Sequence, residues 1–172
     1  MQYPRAIQAT VEAALTSGKA IIIYGARQVG KTTLVREIMA AHEGAIYLNC
    51  DEPAVRTLLT ERGSAELRVL LGHDRLVVMD EAQRVPGIGL TIKLIVDNLP
   101  DLKVLATGSS SFALAGGVRE AFTGRKREFT LYPLALDEWY YGQRSGVFAR
   151  VSRHSSRVRP ANTSCHWPVW RI

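Results

Sequence analysis

The sequence predicts an α/β fold, a five-stranded parallel sheet covered by helices on both faces. Two observations carry that reading. Five short apolar runs recur between residues 20 and 134, with helical patterns between them, and such alternation builds parallel sheets because each parallel pair needs a crossover. The first run also leads directly into a glycine-bracketed loop and then a helical stretch, a strand–loop–helix order with its own chemistry.

Taken in order, residues 6–17 place Ile7, Val11, Ala14 and Leu15 on one face. They predict an amphipathic helix ending near Ser17 and Gly18. "AIIIY" at 20–24 reads as a fully buried strand, "GARQVGKTT" at 25–33 follows, and Leu34, Ile38 and Met39 then recur at helical spacing. "AIYLNC" at 45–50 is a second strand. Residues 54–71 read as helix in two pieces, broken near Gly63 and Ser64. "RLVVMDE" is a third strand ending in acids. A helix over roughly 89–98 stops before Pro100, and "KVLATGSSS" is a fourth strand running into a polar turn. Residues 111–122 look helical, "EFTLYPL" at 128–134 is the fifth strand, and "ALDEWYYG" is a last short helix. There is no internal repeat.

The chain's 172 residues suffice for one α/β domain. No run approaches the ~20 apolar residues of a membrane span, and the first 15 residues lack the basic-then-apolar order of a secretory signal. Cys50 and Cys165 sit in unlike contexts. That argues against a disulfide framework or metal cluster and predicts a cytoplasmic protein. The net charge of +6 is localised: residues 144–172 hold six arginines and no Asp, Glu or Lys, leaving 16 basic against 16 acidic residues in 1–143. The basic pI therefore says nothing about what the body binds.

"GARQVGKTT" has the spacing of a phosphate-binding loop. A glycine-rich loop alone can be a plain turn, but a buried strand before it and a helix after it meet the structural requirement. Gly25, Ala26, Arg27, Gln28, Val29, Gly30, Lys31, Thr32 and Thr33 are the predicted nucleotide-binding residues. Main-chain N–H groups from about Gln28 to Thr33, aided by the helix N-terminus, would meet the β-phosphate. Lys31 would bridge the β- and γ-phosphates, and Thr32 would bind Mg²⁺. Asp80, at the tip of the third strand, is the second predicted metal ligand, acting through water, and Glu81 is the predicted base for the attacking water. An apolar strand ending in Asp-Glu also occurs as a plain solvated strand end; the loop upstream favours the chemical reading.

A strand inserted between the loop strand and the acidic strand, with a Glu placed for catalysis, resembles the additional-strand, catalytic-glutamate division of P-loop NTPases. The resemblance implies a three-layer P-loop NTPase sandwich with strand order 5-1-4-3-2, so the fourth strand ends beside the γ-phosphate. Thr107, Ser109 or Ser110 would there serve as a polar sensor, or a Ser as an ordinary helix N-cap. "IIIYGARQVGKTTLVREI", "LVVMDEAQRVPG", "VLATGSSSFAL" and "GRKREFTLYPLALDEW" occur in that order. Together they resemble bacterial and archaeal AAA-type (AAA+-like) ATPases, over about residues 3–142, in which this domain precedes a C-terminal domain of unknown function. That resemblance implies ATP and Mg²⁺ as ligands, slow hydrolysis, and self-association through sites completed by a neighbour. It also makes Arg125 a candidate arginine finger, from the same or a neighbouring subunit; Arg125, Lys126 and Arg127 also read as a solvated basic patch.

Two departures stand out. Ala135 occupies a position where a Ser is usual, and from about Gln143 no periodicity continues. Residues 1–143 are thus expected to form the ATPase domain and 144–172 a basic, disordered tail. The tail reads either as an arm that binds nucleic acid or as the product of a shifted frame or truncated gene; its abrupt onset and Arg/Ser/His/Trp enrichment favour the second. "DEAQ" with "TGSSS" also resembles helicase motifs, but those motors need two such domains. A binding module that closes on ATP with little hydrolysis, a nucleic-acid-linked ATPase, and a small-molecule kinase, against which the lack of a lid-like segment or acceptor site in the sequence counts, are the remaining alternatives.

Overall fold

The structure, a computed structural model, describes residues 3–73, 75–109, 124–136, 138–140 and 142. The expected helix over 111–122, Ser110, Cys165 and the tail over 144–172 lie outside them. The five strands are β1 (Ala20–Tyr24), β2 (Ile46–Asn49), β3 (Leu76–Asp80), β4 (Lys103–Gly108) and β5 (Lys126–Thr130). All neighbouring pairs are parallel, in the order β2-β3-β4-β1-β5, the predicted 5-1-4-3-2 read from the other edge. This is the P-loop NTPase fold.

The helices are α1 (Gln8–Ala14), α2 (Lys31–Ala40), α3 (Pro53–Leu59), α4 (Ser64–Leu71) and α5 (Ile88–Asn98), with a 3₁₀ turn at Ala82–Arg84. Alternation along the strands divides the core into two layers. Ile21, Ile23, Val78 and Leu105 pack with Val11 of α1 and Leu34 and Ile38 of α2. On the other face, Ile22, Val77, Met79 and Ala106 pack with Leu59, Leu67, Leu71, Ile92 and Ile95 of α3, α4 and α5. No helix among the described residues is long and apolar enough to cross a membrane.

Local chemistry sets the boundaries. Pro53 opens α3, where its missing N–H costs nothing. The chain leaves α3 at an extended Thr60, and α4 restarts with the Gly63 N–H donating to Glu66, 3.0 Å away. Thus the expected break lies where Gly63 suggested. The fifth strand, however, is 126–130 rather than 128–134. Ala20 N–H donates to the Arg125 carbonyl and Leu131 N–H to the Tyr24 carbonyl, so β1, only five residues long, fixes the pairing two residues earlier. Pro133, without an N–H, could not have continued the ladder. The apolar run that suggested 128–134 is the strand's exit, and β5 itself, an edge strand among the described residues, carries charged residues.

Candidate functional site

The strand order brings three turns together at the C-terminal end of the sheet: those after β1, β3 and β4. Ligands of open α/β sheets bind at this end. The turn after β1 is the glycine-bracketed loop. Gly25 is buried beneath it, and a Cβ there would lie 2.6 Å from the Leu131 carbonyl oxygen and 2.9 Å from Val29 Cγ2. Ala26, Arg27 and Gln28 are exposed, and Gln28 (φ 64°) and Gly30 (φ 94°) are left-handed, curling the chain before α2 begins at Lys31. Lys31 is buried, and its ammonium donates to the carbonyls of Gly25 (3.1 Å) and Ala26 (2.9 Å), 4.0 Å from Glu81 Oε1.

Asp80 is the hub of the site. Its Oδ2 accepts from the Thr32 hydroxyl at 2.7 Å and the Tyr47 hydroxyl at 2.6 Å, while Oδ1 accepts from the Thr107 hydroxyl. Burial pushes this carboxyl up, but the hydrogen bonds from Thr107, Tyr47, Thr32 and the Glu81 backbone together hold it below its ordinary value. Thr107, wholly buried on β4, also accepts from Glu81 N–H at 3.0 Å. One hydroxyl therefore joins the two acidic residues. Glu81 adopts φ 54°, a costly conformation for a residue with a Cβ, and Gln83 Nε2 donates to its Oε2 at 2.5 Å. The side chain of Glu81 remains 29% exposed, open to a reactant.

The structure thus brings together Lys31, Thr32, Asp80 and Glu81, all chosen from sequence. Of the three hydroxyls left open, that of Thr107 bonds to both acids, and Ser110 lies outside the described residues. Ser109 follows Gly108, which pairs with Tyr24, so it emerges beside the loop. Thr33 is exposed on the first turn of α2. Arg125 is not brought to its own chain's site. It precedes β5 at the end of the sheet where Ala20 begins β1, about 16 Å of strand from the loop, and its guanidinium pairs with Asp97 of α5. The parallel pairing of β5 with β1 thus sets Arg125 at the opposite end of the strand from its own chain's loop.

Tyr47 escaped the sequence reading. It faces Val78 in register on β2, two residues before Asp80 on the adjacent strand, so it shares the face of that acid. Strand parity with the expected order would have found it. Arg36 lies over its ring, 5.3 Å from the centroid, and burial, then the bond to Asp80, pushes its hydroxyl up to about 12.

Mg²⁺ fits the donor set. The Thr32 hydroxyl and the Asp80 carboxylate are hard oxygens held in direct contact beside the loop, the kind of partial shell that Mg²⁺ completes with water and phosphate oxygens. Among the described residues there is no cluster of three or more His, Cys, Asp or Glu able to cage a metal. Beside the loop, a cavity of about 500 Å³ is lined by Tyr3, Arg27, Val29, Thr33, Pro133 and Leu134, among others.

Comparison with known proteins agrees with this architecture. An uncharacterised protein of Mycobacterium tuberculosis is 30% identical over 118 residues, 68% of this chain and 26% of its own. An uncharacterised protein of Methanocaldococcus jannaschii is 24% identical over 152 residues, 86% of this chain and 34% of its own. The chain therefore spans about a quarter to a third of the length of these relatives. Among solved structures, C. elegans PCH-2 superposes with a TM-score of 0.53 at 13% identity, covering 91% of this chain and 49% of that one. The Drosophila ORC structure bound to DNA gives 0.53 at 12% identity, covering 78% and 93%. At such identities the likeness concerns the fold. A family model described as an AAA domain matches residues 17–140, and the chain belongs to that family of AAA-type P-loop ATPase domains.

Proposed function

We propose that the domain binds ATP with Mg²⁺ through residues 25–33 and hydrolyses it slowly. The observation that carries this reading is the hydroxyl-linked group of Thr32, Asp80, Thr107 and Glu81 facing Lys31 across the loop. Loop N–H groups and Lys31 hold the phosphates; Lys31 exchanges its carbonyl partners for phosphate oxygens. Thr32 and Asp80 would hold Mg²⁺, which when bound would neutralise charge on the phosphate oxygens. Glu81 orients the attacking water and takes its proton. The cavity beside the loop takes the nucleoside, with Tyr3 and Leu134 as apolar contacts.

Low basal turnover follows if a neighbouring copy completes the site. Arg125 fits that role across a subunit boundary, since it lies far from its own loop with a 45% exposed side chain. Residues 144–172 are proposed to be dispensable for nucleotide binding, as expected of a tail without a hydrophobic pattern.

The test is calorimetric titration with Mg-ATP beside a phosphate-release assay, with and without DNA. Lys31→Ala should abolish measurable ATP binding; wild-type affinity in that variant removes the loop assignment. Glu81→Gln should hold ATP while turnover falls about 10²–10⁴-fold, and an unchanged rate assigns the water to another residue. A DNA-stimulated rate would establish the nucleic-acid-linked reading in place of plain hydrolysis.

A further inference from the structure

Arg5 lies outside every motif of the sequence, yet its guanidinium reaches three acceptors in two separate segments. Nη1 donates to the Val29 carbonyl at 2.8 Å, Nη2 to the Tyr132 carbonyl at 2.6 Å, and Nε to Glu138 Oε2 at 3.2 Å. The two charged side chains are only 8% and 10% exposed. Glu138 is held in turn by the N–H groups of Ala6 (2.8 Å) and Ala135 (3.0 Å). A Cβ on Gly142 would fall 2.2 Å from a ring carbon of Tyr3, so with a larger residue there the Tyr3 ring or the chain must shift. The chain before α1 is thereby held against both the loop and the segment that follows β5.

The contact with Val29 has a specific consequence. A trans peptide directs its C=O and N–H to opposite sides. Holding the Val29 carbonyl toward the guanidinium therefore aims the Gly30 N–H away from it. Gly30 is left-handed, and a Cβ there would lie 3.3 Å from Arg5 Nη1, so loop and arginine fit closely.

We propose that Arg5 is a positioning residue for phosphate binding: it fixes the Val29–Gly30 peptide so that the Gly30 N–H faces the phosphates, and Glu138 fixes Arg5. The proposal rests on reading residues 25–33 as the phosphate loop. It implies that the loop's grip on phosphate depends on how the segment after β5 is seated. That segment is thus a route by which a partner could tune nucleotide affinity.

The experiment uses the full chain, with Arg5→Lys, Arg5→Ala and Lys31→Ala. Circular dichroism establishes that each variant is folded at the temperature of the titrations. Affinities are then measured for ADP, and for tripolyphosphate, which carries phosphates without a base. Arg5→Lys keeps a positive charge beside Glu138, but its three N–H donors share one nitrogen and do not span the acceptors that three separate guanidinium nitrogens meet, so it remains informative where Arg5→Ala fails to fold. Folded Arg5 variants should bind both ligands about 10- to 100-fold more weakly, the loss expected for a charge-assisted hydrogen bond. Binding of both ligands within twofold of wild type, with Lys31→Ala defective, overturns the proposal and leaves the loop assignment standing. Weakening of ADP alone also overturns it, placing Arg5 against the nucleoside. If Lys31→Ala too binds normally, the loop assignment itself has failed.

Discussion

Replacing Thr107 by Val removes the hydroxyl that joins the two acids while nearly conserving the volume of a wholly buried side chain. Two interactions go. The hydrogen bond to the Asp80 carboxylate is charge-assisted, contributing about 1.5–3 kcal/mol, and that from Glu81 N–H is neutral, about 0.5–1.5 kcal/mol. The variant should therefore lose about 2–4 kcal/mol of stability. For a chain of this size that corresponds to roughly 5–15 °C in melting temperature. In urea, the midpoint should fall at unchanged slope. Thr107→Ser keeps the hydroxyl and deletes only a methyl group, with an expected cost of about 0.5–1.5 kcal/mol. A valine variant as stable as wild type, or a serine variant as damaged as the valine one, would refute the reasoning. The first outcome would mean that the hydroxyl contributes nothing, the second that methyl packing rather than hydrogen bonding matters at Thr107.

Gly25→Ala places a methyl group against the Leu131 carbonyl and Val29, and because one obstacle is backbone, the loop or the exit of β5 must shift. We expect a loss of about 1–3 kcal/mol together with weakened ATP binding, measured by urea unfolding and calorimetry; Gly30→Ala should leave β5 unaffected. Acid should release Glu138. Burial pushes it up, but the Ala135 and Ala6 N–H groups and the Arg5 charge hold it below the ordinary value of 4.5. A depressed carboxylate contributes stability that is present above its unfolded-state value and lost as pH falls through the folded one. Unfolding curves taken from about pH 6 down to about pH 3 should therefore steepen below 4.5 in wild type, and Glu138→Gln should lack that part of the slope.

Much of this was legible in the sequence because the signals were local. "GARQVGKTT" specifies its loop through glycine spacing and the flanking buried strand, and "LVVMDE" puts Asp80 and Glu81 at a strand tip whatever the rest of the fold does. The order of the strands was readable through resemblance alone, since periodicity states which residues are buried but not which strands are neighbours. What stayed hidden depends on pairing at a distance. The start of β5 is set by the length of β1, more than a hundred residues earlier in the chain. Tyr47 becomes part of the site only through its register with β3, and Arg5 through carbonyls and a carboxylate that carry no sequence signature. The distance of Arg125 from its own loop was hidden for the same reason, its place being fixed by where β5 begins.

The central position of β1 also bears on synthesis. Ile22 pairs with Ala106 on one side and Glu128 on the other, so its neighbours leave the ribosome 84 and 106 residues after it. At about 5–20 residues per second, "AIIIY" waits roughly 5–20 s with both edges unpaired. A five-residue β-branched strand in that state is a template for pairing with other nascent chains. Contacts of such long sequence separation also slow folding itself. The strand that carries the glycine-bracketed loop thus stays exposed to aggregation until late in synthesis, a segment a chaperone would have reason to cover.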